Sequence, residues 1–526
     1  MIAIINTALT GFEQDIRELL MAFFPGEGFC FTEEEDVRFQ LFCEADSLRF
    51  LPQKDAEALS GTAADACSNS ADDLFCEPIH LNNERAHDKS EVKRALYRLL
   101  SRITGIKLPW GTLTGIRPVK LPEQMCTEGK TDAEILERLA SFYLISPEKS
   151  ELILEIAHRE ESVLRRVDHK AGFSLYIGIP FCPTTCMYCS FTSYPISKWE
   201  TRVSEYLDCL ERELVQLRQI QTGELQGCIT GKPLQTVYVG GGTPTALSAE
   251  QLDRLLCILE QRMDLSTVCE FTVESGRPDS ITAEKLAVLK HHKVERISIN
   301  PQTMNQHTLD LIGRRHTVED VRQAFSLARR AGFDNINMDI IMGLPEETEQ
   351  DVSETLAEIC ALHPDSLTVH ALAVKRAARL NTEGKAWSNL PRAGIEEATR
   401  MTELGRKAAK QMGLKPYYLY RQKNMAGNQE NTGYAEPGKE NLYNILMMEE
   451  IHTVIGCGAG ASSKVVLENA DPAAHGGNLH RVERFENIKN IAEYLPRIDE
   501  LLEKRAHFFC ETCGTPQREK DESNVQ

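Results

Sequence analysis

Six short apolar or alternating runs recur along the middle of the chain, and a segment with helical periodicity follows each of the first five. The runs predict strands over residues 174–180, 236–240, 271–274, 296–300, 335–342 and 366–372. The amphipathic segments predict helices over 203–220, 250–263, 283–292, 318–331 and 352–362. Strands that alternate with helices form parallel sheets with right-handed crossovers. Because six strands are too few to close an eight-stranded barrel, the pattern predicts a partial (β/α)6 barrel.

The pattern changes on both sides of this region. Residues 1–92 predict an α/β segment that contains a flexible polar insertion over 53–91, and residues 93–168 predict a helical extension. The barrel is expected over 169–375, and a smaller α/β module is expected over 376–490. Residues 491–526 predict a helix and a disordered tail. The fold class is therefore α/β, with an α/β N-terminal extension and a smaller C-terminal α/β module around the barrel.

Composition narrows the range of partners. The 526-residue chain is 42% hydrophobic, which suffices for a large core, and its formal net charge is −19. An acidic surface repels phosphate backbones, so no nucleic-acid partner is expected. No apolar run is long enough for a membrane span, and the first residues lack the basic region of a signal peptide. Sixteen cysteines without such a signal indicate a reducing, cytoplasmic location.

Three cysteines follow the first barrel strand at the spacing C-x3-C-x2-C, as Cys182, Cys186 and Cys189. In parallel barrels the chemistry lies at this end of the strands. Three thiolates can bind three irons of a [4Fe–4S] cluster and leave the fourth iron open, whereas electron-carrying clusters use four cysteines. A zinc site is the alternative. Zinc favours four ligands, and the only other close pair, Cys510 and Cys513, lies at the far C-terminus.

Polar residues mark the ends of the later strands. The second strand ends in a glycine triplet, which lets the backbone approach a ligand, although a tight turn is the alternative. Glu274, Gln302, Arg314 and Asp339 stand at or after the following strands. A carboxylate in an apolar run is costly to bury alone. Each residue singly could serve a structural hydrogen bond or ion pair, but the series on successive strand ends favours a functional site.

Together these motifs resemble the radical-SAM oxygen-independent coproporphyrinogen III oxidase family, which contains dehydrogenases of haem biosynthesis and related haem chaperones. The resemblance covers residues 176–463, and the basic turn over 114–120 is similar to the HemZ-type branch of Gram-positive bacteria. The motifs that carry it are Ile179-Pro180-Phe181-Cys182, Gly240-Gly241-Gly242-Thr243-Pro244-Thr245, Ser298-Ile299-Asn300-Pro301-Gln302 and Asn337-Met338-Asp339-Ile340-Ile341-Met342-Gly343-Leu344-Pro345.

The resemblance implies a role for each matched position. It implies that Cys182, Cys186 and Cys189 hold a [4Fe–4S] cluster whose open iron binds S-adenosyl-L-methionine (SAM). It places the SAM that is cleaved against Tyr176, Gly241 and Glu274. It implies no catalytic side chain beyond these cofactor sites. The positions that match the surroundings of a second SAM are Tyr188, Gly242, Thr243, Gln302, Arg314, Asp339 and Ala373.

The implied activity is that of a coproporphyrinogen III dehydrogenase. Two propionates of coproporphyrinogen III undergo oxidative decarboxylation to vinyl groups via a 5′-deoxyadenosyl radical, which gives protoporphyrinogen IX. An external low-potential electron donor is implied as a partner. The substrate carries four carboxylates, so it needs cations, for which Arg117, Lys120, Lys375 and Arg376 are candidates. Solvated surface charge is the alternative for each of the four.

Two positions depart from the family's patterns and leave three hypotheses open. Phe191 stands where the dehydrogenases carry a further cysteine and where the chaperones also carry phenylalanine. Tyr443-Asn444 stands where the chaperones carry His-Asn. The missing histidine favours the dehydrogenase, while Phe191 keeps a haem chaperone as the alternative. A radical-SAM enzyme that acts on RNA is disfavoured by the net charge of −19.

Overall fold

The computed structural model describes residues 2–6, 9–25, 27–31, 39–52, 75–373, 394–422, 425–468 and 480–513. Residues 53–74 of the predicted polar insertion lie outside these ranges, as do Lys375, Arg376 and the predicted tail beyond Cys513. Within the described part of the chain, no helix is both long and apolar enough to cross a membrane.

The elements alternate as the sequence predicts, with additional strands at both ends of the chain. The strands are β1 (Ile2–Asn6), β2 (Phe29–Cys30), β3 (Phe39–Cys43), β4 (Ser47–Pro52), β5 (Cys76–Pro78), β6 (Phe173–Ile179), β7 (Phe181–Cys182), β8 (Tyr194–Pro195), β9 (Leu234–Gly241), β10 (Glu270–Glu274), β11 (Arg296–Ser298), β12 (Ile336–Met342), β13 (Ser366–Ala371), β14 (Lys415–Tyr420), β15 (Asn431–Ala435), β16 (Thr453–Cys457), β17 (Ser462–Glu468) and β18 (His480–Glu486). The helices are α1 (Glu13–Phe23), α2 (Arg85–Thr104), α3 (Lys120–Thr127), α4 (Asp132–Ser141), α5 (Pro147–Leu164), α6 (Val203–Thr222), α7 (Ala249–Arg262), α8 (Ala283–His291), α9 (Gln306–Leu311), α10 (Val318–Arg330), α11 (Glu349–Leu362), α12 (Ile395–Gln411), α13 (Leu442–Glu449), α14 (Ile491–Tyr494) and α15 (Ile498–Cys513).

The six predicted strands are adjacent in one eleven-stranded sheet. Its order is β14-β15-β13-β12-β11-β10-β9-β6-β16-β17-β18. Strands β6 and β9 to β13 run parallel to one another, so all six end at the same edge of the sheet. The structure thereby confirms the α/β fold class with a partial (β/α)6 barrel.

Polar caps start several of the helices that cover the sheet. Ser248, Thr317 and Thr348 each accept a hydrogen bond from the backbone N–H three residues later, and the side chain of that later residue accepts one from the backbone N–H of the cap residue. Such capping boxes satisfy backbone donors that a helix start leaves unpaired. Between the helices and the strands lies a continuous apolar core, to which Ile177, Val239 and Leu256 contribute fully buried side chains.

Strands after the sixth repeat extend the same sheet at both edges. Strand β15 pairs antiparallel with β13, and β14 pairs with β15. At the other edge β16 pairs parallel with β6 and is followed by antiparallel β17 and β18. This shared sheet runs across residue 375, the first of the two predicted boundaries. The division at residues 375 and 490 into a barrel, a smaller module and a tail stays a prediction.

Residues before the barrel form a second small sheet and a group of helices. The small sheet has the order β2-β1-β3-β4-β5, and α1 packs on α2 beside it. The polar insertion was predicted to extend to residue 91, but β5 and the start of α2 lie within it. Asp88 and Glu91 are buried on α2, where Arg94 pairs with Glu91, so charged residues belong to the packed helix. Helix α5 covers the edge strand β14, which protects that edge from pairing.

Candidate functional site

The cysteine loop begins where β6 ends, and backbone hydrogen bonds hold it on three sides. The Gly242 N–H donates to the Ile179 carbonyl at 2.8 Å, and the Thr243 N–H donates to the Phe181 carbonyl at 2.7 Å. On the far side the Met187 N–H donates to the carbonyl of Ile312 at 3.0 Å. The loop that carries Cys182, Cys186 and Cys189 is therefore fixed against the ends of neighbouring parallel strands, as its spacing predicts.

The three sulfurs of the loop do not all lie within 4.8 Å of one another. Two thiolates on one tetrahedral zinc lie about 3.8 Å apart, since each Zn–S bond is about 2.3 Å long. Among the described residues, three ligating atoms of His, Cys, Asp or Glu come within 4.8 Å of one another only at two other places. A cubane cluster gives each cysteine an iron of its own and therefore fits the wider spacing of this loop.

Burial keeps Cys182 and Cys189 protonated until a metal binds. It raises the pKa of Cys182 to about 12 and also raises the pKa of Cys189. Loading iron must therefore displace protons from the loop. The Thr243 hydroxyl donates to the Cys182 sulfur at 3.5 Å, which favours the thiolate. These features suit a metal site that is partly shielded from solvent.

Arg277 contacts the cysteine loop, although it is not among the predicted site residues. Its guanidinium is 3% exposed, and Nη1 lies 3.8 Å from the Cys186 sulfur and donates to Thr184 Oγ1 at 3.0 Å. Asp279 binds the other side of the fork, at 2.9 Å from Nε and 2.7 Å from Nη2. A buried, bidentate arginine of this kind stabilises negative charge on the neighbouring sulfur. The only sequence signal is a cation three residues after Glu274.

Tyr176, in the middle of β6, comes together with Gly241 and Glu274, the last residues of β9 and β10. Gly241 has a φ of +106°, and a side-chain carbon there would lie 3.2 Å from the Ile179 nitrogen and 3.3 Å from the Tyr176 hydroxyl. Only glycine tolerates that conformation and that closeness. The Tyr238 hydroxyl donates to Glu274 Oε1 at 2.5 Å. Burial raises the pKa of Glu274 to about 7, so a ligand amino group would find a carboxyl poised between its two charge states.

A cavity of about 200 Å³ opens beside Tyr176 and Gly241. Its other walls include Ile179 and Pro180, the end of the cysteine loop over residues 190–192, the turn over residues 459–461, and the charged residues Glu486 and Lys489. Ligand pockets usually measure roughly 300–1,000 Å³, so this cavity accommodates only part of a nucleoside-sized ligand. Its position between the cysteine loop and Gly241 suits the SAM that the sequence predicts at the open iron.

Three tyrosines stack next to Glu274. The Tyr238 ring centroid lies 4.5 Å from that of Tyr443 and 6.1 Å from that of Tyr176. Tyr443, which stands where the chaperones carry histidine, is 4% exposed. Helix α13 brings it there because the Glu270 carboxylate accepts the N–H groups of Leu442 and Tyr443 at the helix start. The ring at position 443 therefore belongs to the core of the site.

Arg314 joins the cysteine loop to the later strand ends. Its Nη2 donates to the carbonyls of Asn300 and Gly276 at 2.6 and 3.1 Å, and its Nη1 donates to the Tyr188 hydroxyl at 3.1 Å. Tyr188 also packs against a small apolar cluster that includes Leu372. Two residues predicted around a second SAM, Tyr188 and Arg314, are thus in direct contact.

Gln302 and Asp339 meet through their backbones. The Gln302 N–H donates to the Asp339 carbonyl at 3.0 Å, and Gln302 has a φ of +69°. A left-handed conformation in a non-glycine residue is typical of strained functional positions. Burial alone would raise the pKa of Asp339, but hydrogen bonds from His370 and Asn337 and the His370 charge lower it. The Asp339 carboxylate is therefore held in its charged form.

Unpaired polar atoms indicate where a second ligand would fit. Asn300 Oδ1, Gln302 Oε1 and Arg314 Nε are buried and have no hydrogen-bond partner in the described part of the chain. Buried polar groups without partners are rare and costly, and a polar ligand would satisfy them. The residues present therefore fit a second SAM at this edge, which stays a prediction.

The remaining predicted residues are placed as follows. Gly242 faces the cysteine loop, where a side-chain carbon would lie 2.6 Å from the Phe181 carbonyl oxygen. Ala373 pairs with Met425 beyond the end of β13. Arg117 forms an ion pair with Glu450, in which Arg117 Nη1 lies 3.1 Å from Glu450 Oε2. Contact of Gly242, Thr243 or Ala373 with a second SAM stays a prediction.

Comparison with known proteins identifies relatives. A model of the Radical SAM superfamily matches residues 176–359. The chain is 40% identical to the oxygen-independent coproporphyrinogen-III oxidase-like protein HemZ of Bacillus subtilis (strain 168), over 79% of this chain and 82% of that protein. It is 33% identical to the heme chaperone HemW of the same strain, over 55% of this chain and 70% of that protein. The solved structure of coproporphyrinogen III oxidase (HemN) from Escherichia coli, a radical SAM enzyme, aligns with a TM-score of 0.49 and 22% identity over 65% of this chain and 73% of that one.

Proposed function

Because this chain belongs to the radical SAM family of oxygen-independent coproporphyrinogen III oxidase-like proteins, in its HemZ-type branch, we propose that it is a coproporphyrinogen III dehydrogenase. It would convert two propionates of coproporphyrinogen III to vinyl groups in haem biosynthesis, with loss of carbon dioxide. The family uses a [4Fe–4S] cluster and SAM. A reducing cytoplasm and an external low-potential electron donor are part of this proposal.

One observation carries the proposal: a complete cysteine loop adjoins strand ends whose buried polar atoms have no partner. Cys182, Cys186 and Cys189 would hold the cluster, and Glu274 would accept hydrogen bonds from the amino group of SAM. When bound, the cluster and SAM supply a carbon radical that can take a hydrogen atom from the substrate. The chain's own residues position these groups and exclude water, and Arg277 stabilises the charge of the thiolates.

The environment of Tyr443 supports catalysis over haem carriage. A tyrosine can bind haem iron, as can a histidine, cysteine or methionine. The Tyr443 ring, however, lies against Tyr238 and is almost fully buried, so its hydroxyl is not presented to a planar porphyrin at the surface. The residue at the chaperone's histidine position thus serves the SAM side of the site in this chain.

A haem chaperone is the second candidate function. Phe191 favours it, because its side chain is 70% exposed at the end of the cysteine loop and offers an apolar contact for a porphyrin face. The identity of 33% to a heme chaperone over 70% of that protein points the same way. Both candidates keep the cluster and SAM, so only turnover and haem affinity separate them.

The deciding experiment uses anaerobically reconstituted protein. It is incubated with SAM, a strong reductant and coproporphyrinogen III, and the products are oxidised and scored for protoporphyrin. The Cys186→Ala variant is the matched control, since it should lack the cluster and give no vinyl product. Haem is titrated in parallel. Tight one-to-one haem binding without vinyl product would contradict the dehydrogenase proposal and support the haem chaperone.

A further inference from the structure

Three glutamates from three separate helices converge outside the site described above. Glu123 lies on α3, Glu160 on α5 and Glu449 at the end of α13. One carboxylate oxygen of each lies within 4.8 Å of those of the other two. Glu160 is 0% exposed and Glu449 is 3% exposed, whereas Glu123 is half-buried at the rim. The group therefore joins the helical extension to the helix that carries Tyr443.

Glu160 points into this group without a partner. Neither of its carboxylate oxygens has a hydrogen-bond donor in the part of the chain that the structure describes. A charged carboxylate in such a place is costly unless something neutralises it. The nearest cations offset this charge only in part. Lys120 acts on Glu160 and Glu449 but is exposed, and Arg117 acts on Glu449 but binds Glu450 Oε2 at 3.1 Å and the backbone carbonyls of Met448 and Glu449.

We propose that Glu123, Glu160 and Glu449 bind a hard divalent cation such as Ca²⁺. Oxygen-only donor sets select hard cations. Two ligands of one ion lie at most twice the metal–oxygen distance apart, which is about 4.2 Å for Mg²⁺ and about 4.6–5.2 Å for Ca²⁺. Three carboxylate oxygens that lie within 4.8 Å of one another are close enough to share one such ion. Half-buried Glu123 leaves a side open for entry and for water ligands.

Protons are the competing way to neutralise the group. Burial raises the pKa of Glu160 well above its usual range and raises the pKa of Glu449 to about 8, with further contributions from the neighbouring carboxylates. In the absence of a cation the group would hold protons at neutral pH. A cation must displace them, so its affinity should increase as the pH rises from 6 to 8.

Binding would have a consequence for the SAM side of the proposed enzyme. Helix α13 is only eight residues long, and it carries Tyr443 near its start and Glu449 at its end. A cation at Glu449 would fasten this helix to α3 and α5. The stack of Tyr443 on Tyr238, which lies beside Glu274, would thereby be held from outside the barrel.

The test uses the anaerobic, cluster-loaded protein with the cluster oxidised, after passage over a chelating resin. Mn²⁺ alone is the probe, since the loss of its free six-line resonance reports binding, and Ca²⁺ is added as the competitor. We expect one Mn²⁺ per chain at pH 8, displaced by Ca²⁺, and a higher thermal midpoint with either ion. The Glu160→Gln variant should bind at least tenfold more weakly. Glu161→Gln, an exposed neighbour paired with Arg165, is the matched control and should bind normally.

The outcome that overturns the proposal is equally definite. If the protein binds no Mn²⁺ at pH 8, or if Glu160→Gln binds it as tightly as the unmodified chain, the glutamates hold protons and not a cation. The same conclusion would follow if the Glu160→Gln protein were more stable than the unmodified chain and its stability did not change when Ca²⁺ was added. Should that variant fail to fold, Glu123→Gln at the half-buried rim serves instead, with the same two outcomes.

Discussion

Replacing Arg277 by glutamine should lower the reduction potential of the cluster. The guanidinium lies 3.8 Å from the Cys186 sulfur. Two unit charges at that separation attract by about 4 kcal/mol at an effective dielectric constant of 20. The added electron spreads over the whole cluster, so we expect only a quarter to a half of this, about 1–2 kcal/mol. For a one-electron couple this equals a shift of about 40–90 mV to more negative potential.

A substitution at Asp279 tests the direction in which charge shifts the reduction potential of the cluster. It binds the far side of the same guanidinium, so Asp279→Asn removes a negative charge and should raise the potential. The rise should be smaller than the fall in Arg277→Gln, because Asp279 is farther from the sulfur and partly exposed. Arg277→Lys keeps the positive charge but loses the bidentate guanidinium that binds Asp279. The reduction potential of the cluster should therefore change least in this variant.

The assay is a redox titration of the reduced cluster by electron paramagnetic resonance, with iron content measured on each sample. Iron content separates a shift in potential from loss of the cluster. An unchanged potential in an iron-replete Arg277→Gln protein would refute the reasoning. So would shifts of the same sign in Arg277→Gln and Asp279→Asn, because electrostatics requires opposite signs.

Four further outcomes are expected. Cys186→Ala should abolish the cluster absorption, whereas Cys510→Ala, at an exposed thiol, should leave it intact in the same spectra. Gly241→Val should block 5′-deoxyadenosine formation at saturating SAM, because the added carbons meet the Ile179 backbone; product formation at the normal rate would contradict this. The Glu274 carboxyl keeps its proton up to about pH 7. SAM affinity, measured by equilibrium binding, should therefore fall about tenfold per pH unit below pH 7. This pH dependence should be absent in Glu274→Gln. Glu213→Gln should cost about 3–5 kcal/mol, seen as a lower thermal midpoint, because it leaves the fully buried Arg505 without its partner; an unchanged midpoint would count against it.

The barrel could be predicted from the sequence because each of its strands is an apolar run buried on both faces. The predicted strand over 174–180 is observed as Phe173–Ile179, and that over 366–372 as Ser366–Ala371. The start of α2 could not be predicted in the same way, since its buried Asp88 and Glu91 resemble loop composition. Their burial depends on contacts with other side chains, including the pair formed by Arg94 and Glu91, which hydrophobic periodicity does not register.

The same distinction applies to the candidate site. Cysteine spacing is local, so it predicts a metal loop before any fold is known. Arg277 and the Tyr443 stack arise from contacts between residues that are 91 and 205 positions apart. Nothing in the neighbourhood of either residue in the sequence indicates its partner. The family resemblance points to position 443 through the chaperones' His-Asn motif, but it indicates neither the stack of Tyr443 on Tyr238 nor Arg277, which no matched motif includes.

The cavity beside Tyr176 and Gly241 is lined in part by residues beyond the part of the chain that matches the superfamily. The turn over residues 459–461 lines the cavity, yet the match ends at residue 359. Glu213 positions that turn: its carboxylate accepts the Gly458 N–H at 2.8 Å and the Tyr494 hydroxyl at 2.5 Å. Arg505 of α15 neutralises the same carboxylate at 2.5 Å. Helix α15 is therefore coupled to the wall of this cavity through one buried ion pair, although it is far from the cysteine loop in sequence.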